Sequence, residues 1–351
     1  MAKYRFDEIA FNITEKKKPV EEDKYTYLGL EHLDSGSLKV TRFGSDVAPI
    51  GEKLIMKKGD VLFGKRRAYQ KKVAIAPFDG IFSAHGMVLR PKEEVIDKRF
   101  FPLFISSDYF LDAAIQISVG SLSPTINWRD LKALEFELPP LEEQKKLAEV
   151  LWSINETLDA YKKLLKTTDQ LVKSQFIEMF ANKGYPTKLG KELFKFSSGK
   201  FLEEDKRKDS GVPVYGGNGI AWYTDDVLTE KDTIVIGRVG AYCGNVRLAK
   251  GPKWITDNAI YISEFKTDDY SLSFLEKLMI IYDFHQYAGT VGQPKITQKP
   301  LENQSYIIPP TELQERFSAF MEQSDKSKFE LEQSIVELTA TYKKIISENL
   351  G

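Results

Sequence analysis

The chain has 351 residues, of which 42% are hydrophobic and 29% are charged, and its formal net charge is −1. This apolar fraction excludes a largely disordered chain, and the length predicts two or three globular units at about 100–200 residues each. The single cysteine, Cys243, excludes a disulfide framework, and the three widely separated histidines do not match the spacing of metal ligands.

The first stretch of the chain, residues 1–140, has the pattern of a strand-rich globular unit. Strands are predicted at the apolar runs 60–64, 73–78, 87–90 and 134–138. The apolar stretch 100–117 predicts a helix, and a Gly/Ser loop follows at 118–125. The unit is predicted to end at the pair Pro139–Pro140.

A long helix is predicted next, over residues 141–183. Its seam residues recur in alternating steps of four and three, which is the heptad pattern of a coiled coil. They are Leu147, Leu151, Ile154, Leu158, Tyr161, Leu165, Thr168 and Val172. Glu142 and Glu143 complement the helix dipole at the start, and the helix is predicted to end near residues 182–184.

The second half of the chain repeats the first at a shift of 170 residues. The residue types that recur are Pro124, Ile126, Leu131, Pro139, Pro140, Glu142 and Gln144, which correspond to Pro294, Ile296, Leu301, Pro309, Pro310, Glu312 and Gln314. Residues 184–310 predict a second strand-rich unit. Strands are expected at 232–237, 245–249, 259–262 and 304–308, a helix at 271–287 and a loop at 288–294.

A second long helix is predicted over residues 311–351, where Thr311 and Gln314 fit a capping box. Its seam is polar at Ser324 and Lys328. Each helix would be ~60 Å long and would expose its seam if it stood alone. We therefore expect the two helices to pack antiparallel along their seams; the alternative is that each seam packs against its own globular unit.

The predicted fold is therefore α+β. Two strand-rich domains, related by a pseudo-twofold axis, are joined by two long antiparallel coiled-coil helices. Such a frame would hold two related surfaces apart in opposite orientations, and helices of this length suit the ~34 Å between DNA half-sites one turn apart.

The layout resembles the specificity (S) subunit of a type I restriction–modification system. The resemblance is carried by residues 139–144 (PPLEEQ) and 309–314 (PPTELQ), each between a globular unit and a heptad helix. Residues 211–223 (GVPVYGGNGIAWY) are also similar to the start of target-recognition domains in that family. The second motif departs from the first at Leu313, where the first has Glu143.

The resemblance implies a non-catalytic role. Each globular unit would be a target-recognition domain that reads one half of a bipartite DNA site, while the helices set the spacer and dock two methyltransferase (M) subunits. Restriction (R) subunits join such a complex to cut unmodified DNA. S-adenosylmethionine would be bound by the M subunits, so we expect no cofactor, no metal and no catalytic residue in this chain.

Candidate DNA contacts lie in cationic and glycine-rich loops, because cations neutralise phosphates and arginine can bind guanine bidentately. In the first unit they are Lys65, Arg66, Arg67, Tyr69, Lys71, Lys72, Ser123, Thr125 and Asn127. In the second unit they are Lys200, Arg207, Lys208, Tyr215, Asn218, Arg238, Tyr242, Gln293 and Lys295. Asp60 is the only counter-charge within the first cluster, whereas acidic neighbours dilute the cluster at 200–208. The alternative for each loop is an ordinary solvated turn.

Two other functions stay open at this point. The chain could be a coiled-coil scaffold or adaptor whose two ligand-binding domains are not specific for DNA. It could also be a nuclease, since Asp257, Glu264 and Lys266 form a faint metal-nuclease pattern. The start of the chain lacks an apolar signal-peptide core, and no apolar run reaches the ~20 residues that span a bilayer, so we expect a cytoplasmic protein without a membrane partner.

Overall fold

The computed structural model describes residues 1–289 and 293–350, and these residues divide into two compact units. Unit 1 comprises Met1–Lys162 together with the end of the chain from Gln333, and unit 2 comprises Lys163–Glu332. The predicted loop 288–294 includes residues 290–292, which lie outside the described residues. Each unit is built from one globular lobe and from half of each long helix.

Unit 1 places a strand-rich lobe before the first long helix. Its strands are β1 (Ala2–Arg5), β2 (Ala10–Ile13), β3 (Lys16–Lys17), β4 (Tyr27–Leu28), β5 (Lys53–Met56), β6 (Val61–Phe63), β7 (Val73–Ile75), β8 (Gly80–Phe82), β9 (Met87–Pro91) and β10 (Glu135–Leu138). Its short helices are α1 (Phe6–Ile9), α2 (Phe101–Ile105), α3 (Asp108–Gln116) and α4 (Trp128–Leu131). The long helix α5 spans Leu141–Phe180 and continues into unit 2.

The lobe of unit 1 has two sheets packed on each other and a helical layer. One sheet has the order β2-β9-β6-β7 and the other has the order β3-β5-β8-β4, while β1 pairs with β10. Val61 and Phe63 of β6 face a core that contains Phe110 of α3, whereas Leu62 packs with Phe82 of the other sheet. Because β6 is covered on both faces, it is apolar at every position, as a doubly buried strand requires.

Unit 2 repeats this construction. Its strands are β11 (Thr187–Leu189), β12 (Phe194–Ser198), β13 (Val212–Gly216), β14 (Gly219–Thr224), β15 (Thr233–Gly237), β16 (Val246–Ala249), β17 (Trp254–Ile255), β18 (Ala259–Phe265) and β19 (Ser305–Ile307). Its helices are α6 (Gly190–Leu193), α7 (Leu272–Tyr282), α8 (Gln298–Asn303) and the long α9 (Thr311–Leu350), which continues into unit 1.

The main sheet of unit 2 follows the same strand order as that of unit 1, whereas the smaller sheets differ in strand number and order. The main sheet has the order β12-β18-β15-β16, the smaller sheet has the order β14-β13-β17, and β11 pairs with β19. In each unit the smaller sheet contains one parallel pair, which is β4 with β8 in unit 1 and β13 with β17 in unit 2. The prediction of two related strand-rich lobes is therefore confirmed at the level of strand order in the main sheet.

Both apolar helical stretches are shorter than predicted. The stretch 100–117 is divided into α2 and α3, because the Ser107 hydroxyl accepts a hydrogen bond from the Phe110 amide (3.2 Å) and so begins a new helix. The stretch 271–287 stays α-helical only to Tyr282, because Asp283 has φ 51° and ends the helix in the left-handed region.

The two long helices pack antiparallel, as predicted. In unit 2, Asp169 of α5 pairs with Lys328 of α9, and Phe180 at the end of α5 lies 5.3 Å from Phe317 near the start of α9 (ring centroids). In unit 1, Leu151 of α5 shares a core with Ile346 and Leu350 of α9. These cores also include residues of the lobes, so the seams pack on each other and on their own units.

The polar positions in the α9 seam are accommodated by local partners. The Ser324 hydroxyl donates to the Phe320 carbonyl (3.0 Å), and the Lys328 ammonium lies 3.3 Å from both Asp169 and Asp325. Burial alone would lower the pKa of Lys328, but its hydrogen bonds to the two carboxylates outweigh burial and raise that pKa. The helix pairing is therefore kept at these positions by an ion pair between α5 and α9.

A buried glutamine ties the start of each long helix to its lobe. Gln144 accepts a hydrogen bond from the Asp97 amide (2.8 Å) and donates to the carbonyls of Val95 (3.1 Å) and Pro139 (2.8 Å). Both Gln144 and its counterpart Gln314 are at most 1% exposed.

Gln314 repeats this arrangement in unit 2. It accepts from the Ser271 amide (2.9 Å) and donates to the carbonyls of Asp269 (2.7 Å) and Pro309 (2.9 Å). The predicted capping box at Thr311 and Gln314 is therefore wrong. In a capping box Gln314 would accept from the Thr311 amide, but its carbonyl oxygen accepts from the Ser271 amide and its amide group donates to two carbonyls of the lobe.

Replacing Gln144 by Leu should lower the free energy of unfolding of unit 1 by about 2–3 kcal/mol, because one amide and two carbonyls lose their buried partner. Denaturant unfolding monitored by tryptophan fluorescence checks this, since Trp128 and Trp152 lie in unit 1. The exposed neighbour Glu143→Ala is the control and should change the unfolding free energy by no more than about 0.5 kcal/mol. If the two substitutions lowered the free energy of unfolding equally, Gln144 would not be the residue that links the helix to its lobe.

Candidate nucleic-acid interface

In unit 1 two loops that are distant in sequence meet on one surface, and we call residues 64–72 and 118–127 loop pair 1. Arg66 forms a β-bridge with Thr125, and the Ile126 amide donates to the Lys65 carbonyl (2.9 Å). The cationic cluster and the polar loop at the end of the unit were separate predictions. The structure brings them together.

Unit 2 contains the equivalent arrangement, loop pair 2, formed by residues 237–245 and 293–297. Val239 forms a β-bridge with Lys295, and the Ile296 amide donates to the Arg238 carbonyl (2.9 Å). Lys295 lies 170 residues after Thr125, which is the repeat shift, whereas Val239 lies 173 residues after Arg66. These backbone hydrogen bonds place Arg238 at the position that Lys65 has in loop pair 1.

A short 3₁₀ turn presents a tyrosine from each loop pair. The turns are Ala68–Gln70 and Gly240–Tyr242. Tyr69 is 56% exposed and Tyr242 is 47% exposed, which leaves both rings free to contact a ligand. Arg67, immediately before the first turn, has φ 54°.

The counter-charges of loop pair 1 differ from those predicted. Asp60 is buried and binds Arg90 through two hydrogen bonds of 2.6 and 2.9 Å, so it does not offset the cluster. Lys71 is instead paired with Asp108 and Asp112, each at 2.7 Å. Among the described residues, Lys65, Arg66 and Arg67 have no carboxylate within ion-pair distance. Lys72 donates to the Leu30 carbonyl (2.7 Å).

The remaining candidates of unit 1 hold the loop in place. The Ser123 hydroxyl accepts from Arg66 Nε (3.0 Å), and the Thr125 hydroxyl donates to the Ser123 carbonyl (3.1 Å). Asn127 is exposed at the start of α4. Loop pair 1 is therefore a surface fixed by internal hydrogen bonds, with the cations on its outer side.

Three further residues of unit 1 join this surface and were missed by the sequence analysis. His85 Nε2 lies 3.4 Å from Arg66 Nη1. Desolvation, and then the charges of Arg66, Lys65 and Lys53, lower the pKa of His85, so its ring is neutral at pH 7. Desolvation and the charge of Lys16 lower the pKa of Lys65. His85, Lys53 and Lys16 come from other strands and turns, and no local sequence pattern places them here.

The predicted basic cluster at 200–208 is largely neutralised. Arg207 stacks over the Trp222 ring at 4.2 Å and lies 3.3 Å from Glu204, while Lys208 pairs with Asp225. Lys200 is exposed, and its carbonyl accepts from Trp254 Nε1 (2.9 Å). The acidic neighbours noted in the sequence therefore act as ion-pair partners.

The β13–β14 hairpin brings two other candidates to loop pair 2. Asn218 is exposed at its tip, and a Cβ at Gly217 would lie 3.6 Å from the Val239 carbonyl oxygen, so the tip lies against the loop. Tyr215 is half-buried in β13, and burial raises its pKa. Arg247 of β16 lies beside Gly219 and was missed by the sequence analysis.

Two more candidates complete loop pair 2. Gln293 is exposed, and its side-chain amide lies 3.5 Å from the Cβ position of Gly240. Arg238 donates from Nη1 to the Ser198 hydroxyl (3.3 Å), and its buried Nε has no hydrogen-bond partner among the described residues. Arg238 and Lys295 of loop pair 2, and Arg247 of β16, have no ion-pair partner among the described residues.

The nuclease pattern does not form a site. Lys266 donates to the Lys191 carbonyl (2.7 Å), and Glu264 lies opposite Lys195 in the register of β12 and β18. No cluster of three or more His, Cys, Asp or Glu side chains that could hold a metal ion occurs in residues 1–289 and 293–350. Within those ranges no helix is long and apolar enough to cross a membrane.

The comparisons with known proteins agree on one family. The family model described as the type I restriction modification DNA specificity domain matches residues 8–168 and again 182–339. The specificity subunit of the type I restriction enzyme EcoprrI of Escherichia coli is 28% identical over 139 residues, which is 38% of this chain and 34% of that protein. The chain is thus aligned with about a third of that relative's length.

Other matches extend over nearly the whole chain. The putative type I restriction enzyme MjaX specificity subunit of Methanocaldococcus jannaschii is 23% identical, covering 88% of this chain and 82% of that protein. The crystal structure of the S subunit of a type I restriction–modification system from M. genitalium superposes with a TM-score of 0.62 at 19% identity. It covers 100% of this chain and 96% of that one, so the fold is shared along its length.

Neutralised and unpaired cations should contribute differently to DNA binding. Arg67→Ala should lower the slope of log K against log salt by about 0.9 for a random-sequence duplex, because one phosphate contact and its released counterion are lost. Lys71→Ala should leave that slope unchanged, because Asp108 and Asp112 already offset its charge. Fluorescence anisotropy from 50 to 300 mM salt measures both slopes. Equal slope changes would show that the ion pairs do not decide which cations bind phosphate.

Proposed function

The chain belongs to the family defined by the type I restriction–modification DNA specificity domain, which matches it twice, and on this premise we propose that it is the specificity subunit of such a system. Each unit reads one half of a bipartite DNA site through its loop pair. The observation that carries the proposal is the recurrence of the loop pair in both units, with the bridges Arg66–Thr125 and Val239–Lys295.

The two loop pairs have the chemistry of DNA readers. Each presents exposed cations that can bind phosphates, a tyrosine, and short polar side chains that can reach base edges. Each is fixed to its lobe by backbone hydrogen bonds, so little side-chain and loop entropy is lost on binding. The differences in sequence between the two loop pairs allow two different half-sites.

The long helices serve as the spacer and as the docking surface for two methyltransferase subunits. A helix of 40 residues is ~60 Å long, which exceeds the ~34 Å of one DNA turn. S-adenosylmethionine and the flipping of the target adenine belong to the methyltransferase subunits, and restriction subunits would add cleavage of unmodified DNA. This chain contributes recognition and no bond chemistry.

The net charge of the chain is consistent with DNA binding that is shared with partner subunits. A protein that binds DNA alone is usually basic, whereas this chain has a net charge of −1 and pairs Arg207, Lys208 and Lys71 with carboxylates. Much of the phosphate contact then comes from the partner subunits. The isolated chain is expected to bind DNA weakly, and the complex with methyltransferase subunits is expected to bind specifically.

Expression of this chain with its methyltransferase partner in a host without adenine methylation should produce N6-methyladenine in both halves of one split motif. Replacing residues 185–305 with those of a relative should change one half of the motif and leave the other intact, because those residues carry loop pair 2. Methylome sequencing of hosts with and without the chain measures both. If the host that expresses the chain shows no methylation of a split motif, the proposed function is wrong. If the exchange of residues 185–305 changes both halves of the motif, the two units do not read their half-sites independently.

A seven-residue insertion in both long helices, after Lys163 in α5 and after Glu332 in α9, should lengthen the preferred spacer by about 3 base pairs. Seven residues keep the heptad seam and add ~10.5 Å. Methylation of the original site should fall at least tenfold. The same insertion in α5 alone is the control, which should lose activity with every spacer because the Asp169–Lys328 register is broken. An unchanged spacer preference in the double insertion would exclude the helices as the spacer.

A further inference from the structure

Arg66 is held in one direction by two other segments of unit 1, the turn at His85 and the loop 118–127. Its Nε donates to the Ser123 hydroxyl (3.0 Å) and its Nη1 donates to His85 Nε2 (3.4 Å). Its backbone amide donates to the His85 carbonyl (3.3 Å), and its backbone forms the bridge to Thr125. The side chain nevertheless remains exposed. This is a long flexible side chain that is oriented before any ligand arrives.

The partners of Arg66 are neutral, which distinguishes it from Arg90 and Arg207. Arg90 and Arg207 are paired with Asp60 and Glu204. No carboxylate within residues 1–289 and 293–350 lies within ion-pair distance of Arg66. Its full positive charge is therefore available to a ligand.

The remaining donors of Arg66 suit a pair of acceptors. A guanidinium has five N–H groups, and two of them are engaged by Ser123 and His85. The three that remain include both N–H groups of Nη2. Guanine presents O6 and N7 side by side in the major groove and is the base that arginine binds bidentately. Arginine also binds two phosphate oxygens bidentately, but only a contact with a base edge discriminates between bases.

We propose that Arg66 is the residue of unit 1 that reads a guanine, and that His85 and Ser123 are its positioning residues. This inference rests on the proposed function, and it adds which base is read and which residue reads it. The counterpart of Arg66 in loop pair 2 is Val239, which forms the equivalent bridge but has no polar side-chain atom. The inference therefore concerns the half-site of unit 1.

The role of His85 depends on its neutral form. Its Nε2 accepts a hydrogen bond only when that nitrogen carries no proton. Desolvation, and then the charges of Arg66, Lys65 and Lys53, lower the pKa of this ring, which keeps the acceptor available at pH 7. Glutamine has a neutral carbonyl acceptor of similar reach, so it can replace His85 in this role, whereas alanine cannot.

The test compares Arg66→Ala with Arg67→Ala in the complex with the methyltransferase subunits. The two substitutions remove the same charge from adjacent exposed residues. Methylation rates are measured on the recognition site and on every single-base variant of both half-sites. Arg66→Ala should reduce methylation of the recognition site about 10- to 100-fold and abolish discrimination at one guanine of one half-site. Arg67→Ala should lower all rates by a similar small factor and keep every preference.

The positioning residues are tested by the same assay. Ser123→Ala and His85→Ala should each reduce discrimination at that same guanine by about 3- to 10-fold, and His85→Gln should restore most of it. Thermal unfolding of each variant establishes that the fold is kept. If Arg66→Ala lowers all rates uniformly, as Arg67→Ala does, Arg66 is a phosphate contact and the inference is wrong. If the unmodified complex methylates no split site, the proposed function fails first and this inference falls with it.

Discussion

The structure depends on the buried glutamine at the start of each long helix. A proline pair precedes each helix, and proline offers no N–H through which the lobe could bind the incoming backbone. Gln144 and Gln314 supply the missing connection, because each spans the gap with one acceptor and two donor bonds to a loop of its lobe. The angle at which a helix leaves its lobe is thereby fixed, and with it the direction in which the loop pair of that unit faces relative to the helix.

The packing between α5 and α9 changes along the length of the helices. Near the lobes the seam is large and apolar, with Phe180 against Phe317 in unit 2 and Leu151 beside Ile346 in unit 1. Further from the lobes the seam residues are only partly buried, and Lys328 uses an ion pair with Asp169 in place of apolar packing. An ion pair of this kind contributes little to stability but fixes register, so it favours one alignment of α5 and α9 over its heptad-shifted neighbours.

The sequence was most informative where a residue is buried on every side or repeated. β6 and β15 are continuous apolar runs because each is covered on both faces, and their position was predicted to within a residue or two. The repeat shift predicted the bounds of both long helices. The two-residue strands β3 and β4 were missed, because so short a segment has no period of its own and forms only against a partner strand.

The sequence predicted which residue types form the candidate site, but it did not predict which of those side chains contact each other. Arg66 and Ser123 were both expected to contact DNA, yet nothing in the sequence indicated that one orients the other across 57 residues. His85, in the turn between β8 and β9, and Arg247, in β16, reach these surfaces through the topology of the sheets and not through a local sequence pattern. The capping box at Thr311 failed for the same reason, since the local pattern fitted but a tertiary partner took the side chain of Gln314.

The division of the chain into units has a consequence for its synthesis on the ribosome. Unit 2 is one contiguous segment, whereas unit 1 is made of two segments between which the whole of unit 2 is translated. Unit 1 takes its final apolar contacts from Ile346 and Leu350, whereas Ala148 and Leu151 emerge almost two hundred residues earlier. The nascent first lobe therefore waits, with part of its core uncovered, until translation of the last helix is complete. A stalled or truncated polypeptide keeps that face open to aggregation and to chaperones.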